Sequence, residues 1–377
     1  MPRKLAAALS LAVLLLIPAL ARAEFESTAR EVFLYDMNTG TVLFEKDADV
    51  PMPPASMSKI MTSYMVFEKL RDGTLSMDDT FTVSEKAWRK GGSKMFVEVG
   101  KQIRIEDLLR GVIIQSGNDA SIVLAEGISG SEEAFAEAMT RKAQELGMTN
   151  STFANATGWP DDYQRMSARD LATLAARIIT YFPEFYAFYS EKEFTWHGIR
   201  QGNRNPLLYR NTGADGLKTG HTEEAGYGLT ASAERNGRRL ILVATGMKSM
   251  KERGRETERI LNWGFREFDN YTLFESGQTV DEAEVWLGST PTVPLASPRD
   301  IVVTLPRKLR NEMSVSVSYQ QPVPSPITEG DQIAVLRVTA PGRAPQEFPL
   351  LAARTVDQLG PFGRIAAAIK YFITGTP

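Results

Sequence analysis

The 377-residue chain contains no cysteine. That absence excludes disulfides, iron–sulfur clusters, thiolate zinc sites and a cysteine nucleophile together. Histidine is nearly as scarce, with only His197 and His221. Two are too few for the usual zinc peptidase ligand sets, so no metal is expected. A Ser-His-Asp triad is poorly supported as well, because no G-x-S-x-G elbow is present. A G-x-x-x-x-G-K-[ST] phosphate loop is also missing, and no cofactor is expected. Neither sign of charge dominates: 43 Lys and Arg stand against 46 Asp and Glu, for a net charge of −3. Nothing there favours nucleic acid as a partner. What remains, 43% hydrophobic and 24% charged, is the composition of an ordinary globular protein, and the length favours two domains.

Long apolar runs are confined to the N-terminus. Arg3 and Lys4 precede an apolar stretch from Leu5 to Leu20, and Ala21-Arg22-Ala23 supplies the small residues of a cleavage site. The stretch is about 16 residues, short of the ~20 needed to span a bilayer. Residues 1–23 are therefore expected to be a cleaved signal peptide, with the mature chain secreted and starting at Glu24.

Beyond it the order of elements defines the fold class. Glu31 to Tyr35 and Thr41 to Phe44 read as a hairpin. Helical periodicity follows from Ser56 to Leu70, Ile105 to Gln115, Ser131 to Leu146 and Ser167 to Tyr181, the last opened by a Ser167/Asp170 capping signature. Gly226 to Ala233 and Arg239 to Thr245 then read as strands joined at Asn236-Gly237, and Arg255 to Phe268 as a closing helix. Strands, helices and strands again predict one mixed α+β domain over residues 24–269, with helices on an antiparallel sheet. From Tyr271 prolines become frequent and short alternating runs such as Val315 to Tyr319 appear, predicting a small all-β domain over 270–358. No internal repeat is present. Residues 359–377 differ again. Phe362, Ile365, Ile369, Phe372 and Ile373 share a narrow arc at helical period, with Arg364 opposite and Lys370 at the flank. A helix from Leu359 to Thr374 is ~24 Å long, too short to cross a ~30 Å hydrocarbon core. It is suited to lie in the membrane interface as an anchor.

Three short motifs carry chemistry. Ser56-Met57-Ser58-Lys59 stands at the predicted start of a helix, Ser116-Gly117-Asn118 interrupts helical sequence, and Lys218-Thr219-Gly220 leads into a strand. Residues i and i+3 share a helix face, so the Lys59 amine can reach the Ser56 hydroxyl. A serine at a helix N-terminus also offers its own N–H to a developing oxyanion. The helix dipole and a second lysine, Lys218, both disfavour a charged Lys59. To act as a base near neutral pH, Lys59 must drop about 3 units from ~10.4. Each motif alone is weak; the three in this order are the signature of serine β-lactamases and penicillin-binding proteins.

The wider sequence resembles the low-molecular-weight penicillin-binding proteins of the D-alanyl-D-alanine carboxypeptidase family. Asp36-Met37-Asn38-Thr39-Gly40, Pro54-Ala55-Ser56 into Lys59, Gln115 to Ala120, Asp215 to Thr222 and Ala225-Gly226-Tyr227 carry the likeness. So does the order of catalytic domain, β-rich domain and amphipathic tail. The resemblance implies a β-lactamase/transpeptidase-like catalytic fold. It implies an acyl-enzyme reaction on peptidoglycan stem peptides, inhibited by β-lactams, in a periplasmic protein anchored on the outer face of the cytoplasmic membrane. It assigns Ser56 as nucleophile, Lys59 as base, Ser116 as proton relay and Asn118 as holder of Lys59 or the substrate amide. It further implies that Lys218, Thr219 and Gly220 bind the terminal carboxylate, and that the N–H groups of Ser56 and His221 form the oxyanion hole. Arg253 would support the carboxylate. Arg204 also matches a basic position of the family, but a surface arginine is the preferred reading there. Among rivals, a class A β-lactamase needs an E-x-x-L-N loop between the second and third motifs. Glu258 to Asn262 fits that pattern but follows the third. A D,D-endopeptidase using the same constellation and an idle wall-binding scaffold stay open.

Overall fold

The computed structural model describes residues 25–374; the signal-peptide expectation falls on 1–23, outside them. The centre of the catalytic part is a five-stranded antiparallel sheet. Its strands are β1 (Val32–Asp36), β2 (Val42–Lys46), β3 (Ala214–Thr222), β4 (Gly226–Arg235) and β5 (Arg238–Met247), in the order β2-β1-β5-β4-β3. Asn236 and Gly237, at φ 53° and 76°, turn β4 into β5 as the Asn-Gly pair predicts, because a tight hairpin turn of this hand needs two left-handed residues. Strand β5 is buried on both faces, which is why Leu240 to Ala244 is an unbroken apolar run and not an alternating one.

Alternate residues of β5 enter different cores, as the two-residue period requires. Ile241 and Val243 face a large helical layer, joined by Phe33 and Leu217. That layer contains α1 (Lys59–Arg71), α2 (Ile105–Ile113), α3 (Asn118–Ser129), α4 (Glu132–Glu145) and α5 (Ala168–Tyr181). Leu240 and Leu242 face the other way, onto Ile260 and Leu261 of α6 (Met250–Glu267). Each such fully buried aliphatic side chain contributes ~1.5–3 kcal/mol of burial free energy.

Three local readings are corrected. Ser56 lies in a 3-10 turn, Ala55–Ser58, and α1 proper starts at Lys59. Lys218-Thr219-Gly220 sits inside edge strand β3 and does not merely lead into it. Helix α6 begins at Met250, five residues before Arg255, because the Ser249 hydroxyl accepts from the Glu252 N–H at 3.1 Å and caps it there. Arg253 is thereby placed in a first helical turn. The Ser167/Asp170 signature is half formed: Ser167 accepts from the Asp170 N–H, but the Asp170 carboxyl turns to Asn150 and Ser151.

From Phe268 the structure is β-rich. Phe268–Phe274 pairs with Ile301–Pro306, and a six-stranded sheet packs around its own apolar cluster, which includes Val285, Val303, Leu336 and Leu350. The two parts touch through Asn270, whose Nδ2 donates to Asp36 at 3.3 Å, and through the Thr39 and Thr304 hydroxyls at 2.5 Å. A last helix, α7, runs over Pro361–Thr374. No helix among the described residues is long and apolar enough to cross a membrane.

Candidate active site

The three motifs converge at the edge of the sheet beside β3. The turn holding Ser56 is unusual backbone. Ala55 has φ 48°, a left-handed value that costs a non-glycine residue of order 1–3 kcal/mol. Two glycines let other segments close on this turn. A Cβ at Gly158 would lie 1.9 Å from the Ala55 carbonyl oxygen, and one at Gly220 would lie 2.8 Å from that of Pro54. The middle motif has the same character, with Ser116 at φ 61° where α2 breaks before α3.

Lys59 is completely buried. Its Nζ is 2.9 Å from Ser56 Oγ and 2.7 Å from Asn118 Oδ1, and it also donates to the Thr157 carbonyl. Asn118 cannot be turned round at no cost, because its Nδ2 donates to the Gly91 carbonyl at 2.9 Å. Two of the three neighbours are thus pure acceptors. A neutral Lys59 satisfies them with its two N–H bonds, which leaves its lone pair for the Ser56 hydroxyl. Once protonated, the amine donates to all three, so a proton can pass from Ser56 with no rearrangement. Burial is the largest cause that lowers the Lys59 pKa, to about 7, with the Arg204 and Lys90 charges assisting. A drop of this size suits a base near neutral pH; its leading cause is burial, expected only as partial, while Lys218, expected to help, is not among the charges that lower it.

The other lysine forms a separate pair. Lys218 Nζ donates to Ser116 Oγ at 2.9 Å and to its neighbour's carbonyl, Thr219 O, at 3.2 Å. It too is buried and held well below the usual lysine value, first by burial and then by the Lys59 charge. At the open end of β3, His221 is exposed and stacks on Tyr227 with centroids 3.8 Å apart. Arg253 lies beneath, its guanidinium 5.8 Å from the Tyr227 centroid. It is 6% exposed, and its Nε has no hydrogen-bond partner among the described residues. Burial holds it down to about 10.

Arg204 is exposed, as a surface arginine would be, but it is tied into the site. Its guanidinium donates to Ser93 Oγ at 2.6 Å, its carbonyl accepts from Arg253 at 3.4 Å, and its charge depresses both lysines. The rival Glu258/Asn262 pattern lies on α6, where Glu258 pairs with Arg210 and Asn262 accepts from Arg235.

Several supporting groups escaped the sequence reading. Asn155 Oδ1 accepts from the N–H groups of Thr157, Gly158 and Trp159 and so fixes the loop whose carbonyl meets Lys59. The Asp119 carboxylate accepts from the N–H groups of Met95, Phe96 and Val97 and pins the loop beyond Ser93 against α3. The Asn155-x-x-Gly158 spacing was a readable turn signal. A backbone carbonyl such as Thr157's leaves no trace in residue identity.

Comparison with known proteins then decides the lineage. The family profile described as D-alanyl-D-alanine carboxypeptidase matches residues 19–249, and that of the penicillin-binding protein 5 C-terminal domain matches 268–358. The chain belongs to the D-alanyl-D-alanine carboxypeptidase family. It is similar to the D-alanyl-D-alanine carboxypeptidase DacC of Escherichia coli K12, with 39% identity over 345 residues, 89% of this chain and 86% of that one. The corresponding DacA of Haemophilus influenzae is 38% identical, over 90% and 88% of the two chains. Among solved structures, penicillin-binding protein 5 from Haemophilus influenzae superposes with a TM-score of 0.82 at 36% identity, covering 89% of this chain and all of that one. Penicillin-binding protein D2 from Listeria monocytogenes, solved with ampicillin bound, covers 65% of this chain and all of its own at a TM-score of 0.59 and 30% identity. The carboxypeptidase family membership makes this chain a serine-type hydrolase that removes the terminal D-alanine from peptidoglycan stem peptides.

Proposed function

We propose that Ser56 is the nucleophile of this carboxypeptidase and Lys59 its base. The carrying observation is the Lys59 environment: two fixed acceptors, a serine hydroxyl at 2.9 Å and a pKa brought to about 7. Ser56 Oγ passes its proton to Lys59 and attacks the penultimate D-alanine carbonyl, whose oxyanion is held by the N–H groups of Ser56 and His221. Ser116, bonded to Lys218, relays a proton to the departing D-alanine amine. Water then attacks the acyl-Ser56 ester and releases the shortened peptide. Lys218, Thr219 and Gly220 on β3, with Arg253 behind them, meet the terminal carboxylate. Lys218 is held below the usual lysine value chiefly by burial, so an arriving carboxylate would favour its charged form, and the unpartnered Arg253 Nε offers a further donor.

β-Lactams acylate the same hydroxyl in this reading. Labelling with a fluorescent penicillin should place one adduct on Ser56 and none on Ser56→Ala. An adduct mapped to another serine would remove the mechanism. Export to the periplasm and anchoring on the cytoplasmic membrane belong to the same proposal. They rest on the leader pattern of residues 1–23 and on α7, where Phe362 is 88% exposed and Ile365 and Ile369 are exposed with it.

A further inference from the structure

A second polar site lies at the far end of the sheet from Ser56. Strand β4 has His221 opposite Tyr227 at its start, and the β4–β5 turn at its other end. Against that turn, α6 and the 3-10 segment starting at Arg307 border an open cavity of about 300 Å³. Four arginines line it, Arg235 and Arg238 from the turn, Arg266 from α6 and Arg307 from the β-rich part, together with one carboxylate, Asp269.

Their partners leave cationic capacity unused. Arg238 is 8% exposed; its Nε meets Asp36 Oδ2 at 2.6 Å and its Nη1 the Phe268 carbonyl at 2.7 Å. Its Nη2 is buried with no hydrogen-bond partner among the described residues. A charged N–H left that way costs more than a hydrogen bond contributes, which marks this guanidinium as short of a partner. Arg235 bonds only neutral groups, the Thr212 carbonyl at 2.8 Å and Asn262 Oδ1 at 2.7 Å, and lies over the Phe265 ring at 4.3 Å. No carboxylate pairs with it among the described residues, and burial holds it below its ordinary value. The other two arginines pair with carboxylates near the surface, Arg266 with Glu267 at 2.8 Å and Arg307 with Asp269 at 3.1 Å. Exposed pairs of this kind are worth ~0–1 kcal/mol and exchange readily for a better anion.

We propose that this cavity binds a compact oxyanion of the phosphate class, bridging the catalytic and β-rich parts of the chain. Guanidinium groups arriving from three segments suit a tetrahedral anion better than a planar carboxylate, which satisfies one fork at a time. The volume leaves room for a phosphate ester as well as the free ion. A bound anion would tie Arg307 to the β4–β5 turn and stiffen the junction.

The test is inorganic phosphate titrated into the mature protein at constant ionic strength, with chloride as the balance, followed by calorimetry and thermal unfolding. A saturable rise in Tm is expected. Arg235→Gln and Arg307→Gln should each weaken phosphate roughly tenfold or more, while penicillin acylation of Ser56 stays unchanged. Arg307 is exposed, so its variant keeps the test valid should Arg235→Gln disturb folding. Vesicles of phosphatidylglycerol, compared with phosphatidylcholine, separate the two sources. Because α7 is itself proposed to hold membranes, the vesicle arm reads the change in affinity: a preference for phosphatidylglycerol weakened in both variants would assign a lipid headgroup, and one unaltered beside weakened phosphate a soluble anion. A phosphate response that never saturates, or one that both variants leave unchanged, overturns the site.

Discussion

The catalytic and β-rich parts of this chain treat buried polarity in opposite ways. Around Ser56 the interior holds Lys59, Lys218, Arg253, Asn118, Asp119 and Ser116, all under 7% exposed. Beyond residue 270 the buried polar residues are Ser297, Thr304 and Ser325, with no buried charge among the described residues. Burying an amine costs several kcal/mol unless it is paired or neutral, so the first arrangement trades stability for reactivity. The second is an apolar core under a charged surface, with no buried ionisable group to desolvate among the described residues. Left-handed non-glycine backbone at Ala55 and Ser116, inside the first region, adds to the same trade.

That contrast is open to breakage. The largest effect is expected from Lys59→Ala, which should slow penicillin acylation by ~10²–10⁴-fold, the usual loss for a general base. Near-normal labelling would mean that the buried amine is not the base. In the wild type, acylation should fall as pH drops through about 7, because Lys59 must be neutral to accept the serine proton. The same shift has a stability consequence. Between about 7 and 10.5 the unfolded chain holds a proton on Lys59 that the folded chain has released, so unfolding free energy rises with pH through that window. The penalty is present in full below about 7 and gone above 10.5. A pH–rate profile flat from 5 to 9 would contradict both statements.

Lys218→Ala should come next. Its loss on a substrate with a free C-terminus should exceed that on the matching amide by roughly ten- to a hundredfold, the value of a charge-assisted hydrogen bond. Equal losses would give Lys218 a structural or catalytic task instead. In the other region the signs reverse. Leu336 is fully buried in the β-rich core, and Leu336→Ala should cost ~2–5 kcal/mol in urea unfolding. Acylation kinetics of the folded protein should not move; a slowed Ser56 would show that the two parts are coupled. The smallest effect concerns α7. Deleting residues 360–377 should release the mature protein from membranes and leave turnover of a soluble peptide within about twofold, as expected where the removed surface packs on no core. Unfolding of the truncated chain would make the helix structural.

Much of this was written locally. The hairpin turn at Asn236-Gly237, the alternation that separates sheet from helix, the proline-rich change after Tyr271 and the i, i+3 placement of Ser56 and Lys59 each depend on neighbours within a few residues, so residue identity alone determined them. The same holds for the order of the three motifs and hence for the family. Other features were decided only by the fold. Strand β3 lies against the Ser56 turn because Gly220 allows backbone to approach backbone, as Gly158 does for the Thr157 loop, and sequence names the glycines but not what they meet. The descent of Lys59 to about 7 comes chiefly from burial, which belongs to the whole helical layer. Arg204 read as a surface residue, and only the fold sets its carbonyl against Arg253 and its charge near the two lysines. The Thr157 carbonyl, held by Asn155 on a loop about 100 residues away along the chain, meets Lys59 only after folding, since a main-chain oxygen carries no sequence label and its address is set by tertiary packing.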